Sequence, residues 1–345
     1  MQVNSLKRNI SIDLVKAVAI VFVVAIHSCT FSFPVASKNW IISLFYRCLT
    51  GGAVPLFLMA SGAVMLNPEK ELSLKKLYFK NILRIVLAML FWGFAYKLWH
   101  LYEMSAINPE NILISLKELL YFNQEFHFYY MHMILIVYAF LPITKIIVNN
   151  SEKTGLLYFI VLWFALAIVY PTVWRYSPFN NFGGMTTMYG INLTYASIGY
   201  GVLGYYLLKY PFSKIMSIIL FAIGFALTFG LTYYKSAGSD VLYEHFLAGN
   251  GVSVCLMACG LFSFFQRVNI KNKICVKSVS YISKASFCVY LVHMLVMYIL
   301  KLNGINTALF SLVFSIPAYA FVILIISIII YFVLSKIPFV KKWLI

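Results

Sequence analysis

The feature that most limits how this chain can fold is a series of ten apolar runs. Each is close to the 20 or so residues a helix needs to cross a hydrocarbon core of about 30 Å. They occupy residues 11–32, 40–66, 77–101, 127–148, 155–171, 189–209, 213–234, 245–266, 285–301 and 308–334. The runs are continuous rather than alternating, which excludes a closed β-barrel and leaves helices to satisfy the backbone inside a bilayer. Of the 345 residues 62% are hydrophobic and only 11% charged, against roughly a quarter charged in soluble domains. The expected fold class is all-α: a polytopic integral-membrane helix bundle of about ten transmembrane helices, one integral domain over residues 1–345.

The net charge of +17 is explained by where the charges fall. With ten spans both termini share a side. That side carries seventeen basic residues, among them Lys7, Arg8, Lys75, Lys76, Lys284 and Lys342, against Glu69, Glu71 and Glu152. The opposite side has six basic residues balanced by six acidic ones. This positive-inside asymmetry places both termini in the cytoplasm and leaves no need for a nucleic-acid partner. The first run is too long and too rich in ionisable groups for a cleaved signal peptide, despite the V-A-S at 35–37, so a retained helix is expected. The six cysteines form no C-x-x-C pair. Cys29 and Cys48 both fall near the outer face, with free thiols the expected state.

The longest stretches between spans are 102–126 and 172–188 outside and 267–284 inside. The first contains N-I-L-I-S-L-K-E-L-L-Y-F, which fits a short amphipathic helix at the membrane interface. The second is rich in turn residues and aromatics and is expected to be an ordered loop. No internal repeat of the kind common in transporters is visible.

Ionisable groups inside a membrane normally face a cavity or one another, because each costs about 2.5–3.5 kcal/mol on insertion scales. The first span holds Asp13, Lys16 and His27. At about 100° per residue all three fall within about 60° of one stripe, with His27 roughly 16 Å above Lys16 along the axis. The third span brings Lys80 and Arg84 one turn apart at its cytoplasmic end, where with Lys16 they form a basic cluster suited to an anionic ligand such as nucleotide phosphates. His127, Tyr130 and Met131 share a face of the fourth span, while His132 points elsewhere. Ser286, Tyr290 and His293 share one face of the ninth. Asn192 is a further polar residue in an apolar setting. Each of these has a structural reading as well: positive-inside anchoring for Lys80, an aromatic girdle for the tyrosines, and hydrogen bonding between helices for the histidines and Asn192.

Four segments carry a family resemblance: S-I-D-L-V-K-A-V-A-I-V-F-V-V-A-I-H-S, V-P-L-F-L-M-A-S-G-A-V-M-L, H-F-Y-Y-M-H-M-I-L-I-V-Y-A-F-L-P and S-K-A-S-F-C-V-Y-L-V-H-M-L-V-M. In order and spacing the chain resembles the acyltransferase-3 family of bacterial membrane acyltransferases over nearly its whole length. The short form, without a fused extracellular hydrolase-like domain, fits it best. The resemblance implies an inner-membrane enzyme that takes an acyl group, usually acetyl, from cytosolic acetyl-coenzyme A. The acceptor would be a hydroxyl of a cell-envelope glycan or lipid-linked saccharide at the outer face, with no metal. The family's first-helix histidine maps onto His27 and its first-helix basic residue, often arginine, onto Lys16. An Arg-x-x-Arg pair of the third helix reads Asn81 and Arg84 here, with Lys80 adjacent.

His27 is thus the candidate catalytic residue, as a general base or as an acyl carrier. Lys16, Lys80, Arg84 and Asp13 are the candidates for the donor site. Asp13 lies about 21 Å along the axis from His27, so its expected role is a salt bridge to Lys16 or a cytoplasmic gate. His127, Tyr130, Asn192, Tyr290 and His293 are the candidates for the acceptor side. This reading expects a water-accessible passage from the cationic mouth to His27. The alternative functional class is a transporter or flippase for a sugar or lipid-linked saccharide, which would pass its substrate unmodified.

Overall fold

A computed structural model describes residues 9–182 and 189–345. Lys7 and Arg8, and residues 183–188 of the expected outer loop, lie outside the described residues. Helices dominate, and nine segments among the described residues are long and apolar enough to cross a membrane.

In chain order the helices are α1 (Ile10–Ser28), α2 (Lys38–Leu49), α3 (Ala53–Met65), α4 (Leu83–Glu103), α5 (Pro109–Leu120), α6 (Tyr129–Asn150) and α7 (Lys153–Trp163). They continue as α8 (Leu193–Lys209), α9 (Lys214–Ala237), α10 (Val252–Gln266), α11 (Lys273–Leu302), α12 (Leu312–Leu334) and α13 (Pro338–Trp343). Turns of π-helix over Leu77–Ile82 and Phe164–Val169 lead into α4 and extend α7. The tenth expected span is α8, whose 17 residues reach about 26 Å at the ordinary helical rise.

Helix starts follow local chemistry. The Asn9 side chain accepts from the backbone N–H of Ser11 at 3.0 Å and of Ile12 at 3.4 Å, capping α1. Asn108 caps α5 ahead of Pro109, and Asn272 caps α11. The amphipathic segment expected after the third span is α5, with Ser115 and Leu119 buried and Leu113, Leu116 and Leu120 exposed.

Two boundaries differ from the sequence expectation. The second span is two helices, α2 and α3, divided at Thr50-Gly51-Gly52. Residues 267–284, expected as a loop, are helical from Lys273 onward, so α11 runs 30 residues. Asn272 starts that helix and no glycine or proline stops it. Its charged first turns extend past the apolar stretch that hydropathy alone detects.

Helix α1 sits inside the bundle, packed against α3, α10, α11 and α12. The main core gathers around it, with Ile20, Val24, Leu56, Met59 and Val289 fully buried. A smaller cluster, Trp40, Leu44, Cys48 and Leu247, joins α2 to the outer end of the bundle.

Helices α3 and α8 touch backbone to backbone. A Cβ on Gly62 would lie 2.1 Å from the Gly201 carbonyl oxygen, and one on Gly204 would lie 2.1 Å from that of Met59. Close approach of this kind is how small residues join helices in lipid. Gly62→Leu should therefore destabilise the protein by about 3 kcal/mol or more, read as a fall in thermal unfolding temperature in detergent. Gly230→Ala, where a Cβ meets nothing within 4 Å, should leave that temperature unchanged or slightly raised.

Candidate active site

The stripe expected on α1 faces α11. Asp13 is 6% exposed, and its carboxylate accepts hydrogen bonds from the hydroxyls of Ser283 at 2.8 Å and Ser280 at 3.1 Å. The carboxylate thereby ties the N-terminal part of α1 to α11. Asp13 is not itself among the residues lining the cavity that opens beside it, but Ser283, which it engages, is.

That cavity, about 330 Å³, is lined by Lys16 of α1, Lys80 of the π-turn, Arg84 of α4, Lys284 of α11 and Lys342 of α13. Among the described residues no Asp or Glu side chain lines it. Five cations facing one space repel one another, and an anion entering the space relieves that repulsion. Asn81, at the place of the family's first arginine, also lines it. Arg84 donates through Nη2 to the Ile345 carbonyl and lies over the Phe287 ring, 5.3 Å from its centroid. The indole of Trp92 donates to the Leu344 carbonyl at 2.9 Å. Residues 338–345 are thus held against α4, and this docking brings Lys342 to the cavity.

The inner end of the cavity is formed by Phe57, Tyr130, Ser286 and Tyr290. Beyond it stand three imidazoles. Ring centroids of His27 and His293 are 5.2 Å apart, those of His127 and His293 5.3 Å, and those of His27 and His127 6.4 Å. Three elements supply them: the last turn of α1, the turn of 3₁₀-helix at Phe126–Phe128 before α6, and the middle of α11. His293 donates through Nδ1 to the Tyr290 carbonyl at 2.8 Å, so its Nε2 carries the lone pair in the neutral ring. That Nε2 and both ring nitrogens of His127 are buried and without hydrogen-bond partners among the described residues. His27 is half-buried. Native interiors rarely leave such groups unpaired unless a ligand or a reaction uses them. Among the described residues no group of His, Cys, Asp or Glu is placed to hold a metal ion.

Tyr290 joins the two halves of this arrangement. Its ring lines the cavity and lies 6.0 Å from that of His127 and 6.1 Å from that of His293. Its hydroxyl donates to the His127 carbonyl. His27 is not among the residues lining the cavity, which include Tyr130 and Tyr290 with their rings 5.3 Å apart. Two bulky aromatics from neighbouring helices meet there, a contact that helical periodicity on either helix alone does not reveal.

Of the other expected residues, His132 faces away, its ring 5.7 Å from Phe122. Asn192 is not at the site. Its side chain accepts from the Tyr195 N–H at 3.0 Å as the cap of α8, and it lines a separate apolar cavity beside Phe140 and Trp163. Cys29 and Cys48 are free.

Arg47 was missed by the sequence reading, as was the part played by Lys284 and Lys342. Arg47 lies in the last turn of α2, just before the Gly51-Gly52 break, and shares the lining of a cavity with Tyr129. The available signal was an arginine inside an apolar run next to a helix-breaking pair of glycines. For Lys284 and Lys342 the sequence shows a charge near the membrane and nothing of where the helix carrying it packs.

A family model described as an acyltransferase domain matches residues 9–335. No curated protein and no solved structure matches the chain. The match spans α1 to the end of α12 and thus the helices that carry Lys16, Arg84 and all three clustered histidines. The chain belongs to the acyltransferase-3 family and is a multi-pass membrane protein.

Proposed function

We propose that this protein is an O-acyltransferase of the bacterial inner membrane. It would move an acetyl group from cytosolic acetyl-coenzyme A to a hydroxyl of a cell-envelope glycan or lipid-linked saccharide. The observation that carries this reading is the cavity lined by five cations, backed by a cluster of three imidazoles. The cations suit the phosphates of coenzyme A, and the imidazoles suit proton transfer at the thioester. Neither group has an equally direct use in a carrier, and the family does not favour the transport alternative.

In this reading the donor's phosphates rest among Lys16, Lys80, Arg84, Lys284 and Lys342. The thioester reaches His27 past Tyr290, whose ring must turn aside. The acceptor hydroxyl gives its proton to His27 as its oxygen bonds to the acyl carbon. The carbon–sulfur bond then breaks, and the thiolate takes the proton back from the imidazolium. One thioester and one alcohol become one ester and one thiol. If His27 instead carries the acyl group, its nitrogen displaces the thiolate first and the alcohol displaces the imidazole second.

The reading is tested by incubating purified protein in nanodiscs with acetyl-coenzyme A labelled in the acetyl group, in parallel with mass spectrometry of envelope glycans from cells with and without the protein. The expected result is label in a glycan and an acetyl-sized mass difference between the two cell types. Intact donor and identical glycans would overturn it.

A further inference from the structure

A second polar cavity, about 560 Å³, lies at the opposite end of the bundle from the five cations. Arg47, Tyr129, Trp174, Arg175, Glu244 and Asn250 are among its lining residues. Arg47 and Tyr129 share its wall, and Tyr129 follows closely on His127, whose ring centroid is 6.4 Å from that of His27. An arginine within a membrane span is normally paired or in contact with a polar ligand. Arg47 is half-buried, and among the described residues its guanidinium makes no hydrogen bond or ion pair. The Asn250 side chain is likewise unbonded. Arg175 stands over the Trp174 ring, 5.2 Å from its centroid, at the outer part of the cavity. Glu244 is the one carboxylate in the lining and is solvent-exposed. His245 is already engaged, its Nε2 3.1 Å from the Thr172 carbonyl.

The cavity thus combines a guanidinium that makes no hydrogen bond or ion pair among the described residues with aromatic faces and an amide. Planar guanidinium binds carboxylate or phosphate through two parallel hydrogen bonds, while aromatic rings and amides suit a sugar. We propose that this cavity is the acceptor site and that Arg47 recognises an anionic group on the saccharide, fixing a neighbouring hydroxyl toward His27. The proposal rests on the acyltransferase reading and adds the acceptor's class to it. Two sources offer the same chemistry: the carboxylate of an acidic sugar, and the diphosphate that joins a sugar to a polyprenyl lipid.

The test measures binding through the fluorescence of the protein's tryptophans, Trp174 among them, in phosphatidylcholine nanodiscs. One arm compares a glucuronate-containing oligosaccharide with its carboxyl-reduced form. The other compares a polyprenyl-diphosphate-linked sugar with a neutral polyprenyl glycoside. The expected result is preference for the anionic member in one arm, roughly tenfold to a hundredfold weaker binding in Arg47→Gln, and partial recovery in Arg47→Lys. The arm that shows the preference identifies the source. Coenzyme A affinity, measured on the same samples, reports whether each variant is folded. Equal binding of charged and neutral ligands, or an anion preference that survives Arg47→Gln, overturns the proposal. Transfer to a neutral sugar with coenzyme A bound would leave the acyltransferase reading standing without it. Absence of any coenzyme A binding or transfer would count against the acyltransferase reading itself.

Discussion

His27→Ala should lower turnover about 10²–10⁴-fold, the range lost when a general base is removed, equivalent to about 3–5.5 kcal/mol of transition-state stabilisation. Coenzyme A affinity should stay within about threefold of wild type, because His27 is not among the residues lining the cationic cavity and interactions made only in the transition state are lost from kcat rather than from binding. His27 is half-buried and not part of the packed core, so the alanine should fold, which a thermal unfolding curve checks. His293 is different. It is 0% exposed and hydrogen-bonded within α11, so its replacement should lower unfolding temperature and turnover together. Unchanged turnover in His27→Ala would remove the reacting role assigned to the first helix.

The second large effect concerns the donor mouth. Lys16→Ala and Arg84→Ala should each weaken coenzyme A binding about tenfold to a hundredfold, since a hydrogen bond to a charged group contributes about 1.5–3 kcal/mol. KM for the donor should rise while kcat changes little, the pattern of lost uniform binding. Arg84 needs a control of its own, because its guanidinium also holds the Ile345 carbonyl. Lys342→Ala leaves that contact in place while removing a cavity cation, so the two variants separate docking of residues 338–345 from phosphate binding. Repeating the titrations with dephospho-coenzyme A shows which cation meets the 3′-phosphate: for that residue the penalty of substitution shrinks. Titrations by calorimetry in which neither variant differs from wild type would remove the cationic cavity from the donor site.

Much of this arrangement was legible before any coordinates. The 100° spacing puts Asp13, Lys16 and His27 on one side of α1, and that side meets α11 through Ser280, Ser283 and His293. The same reasoning put Ser286, Tyr290 and His293 on one face of α11. What periodicity lacks is the partner. For Asp13 it shows a carboxylate near a binding mouth and nothing of the two α11 serines that engage it. It read Asn192 as a polar side chain at an acceptor site when its oxygen caps α8. An N-cap and a ligand-facing amide look alike in sequence, because both are asparagines at the edge of an apolar run.

Hydropathy had a related blind spot. It joined α2 and α3 across Gly51-Gly52, because two glycines do not interrupt an apolar average even though they end a helix. It also stopped α11 where charges begin, though Lys284 in that stretch belongs to the cavity. Lys342 and Arg47 are the clearest cases. One is brought in by the docking of α13 on α4, and the other is brought into one cavity with Tyr129 and Glu244 by the packing of α2. Both depend on contacts between elements distant in sequence.

The central claim is directional: the acyl donor meets the cationic cavity from the cytoplasmic face, and the acyl group leaves toward the other. Sealed proteoliposomes test it, with orientation scored by the accessibility of Cys275, which is exposed at the start of α11. Labelled acetyl-coenzyme A is added to one face and an acceptor saccharide is enclosed on the other. Label should reach the acceptor only when the donor is on the Cys275 face, and not at all in His27→Ala vesicles. Equal labelling from either face, or labelling only from the face opposite Cys275, would contradict the account.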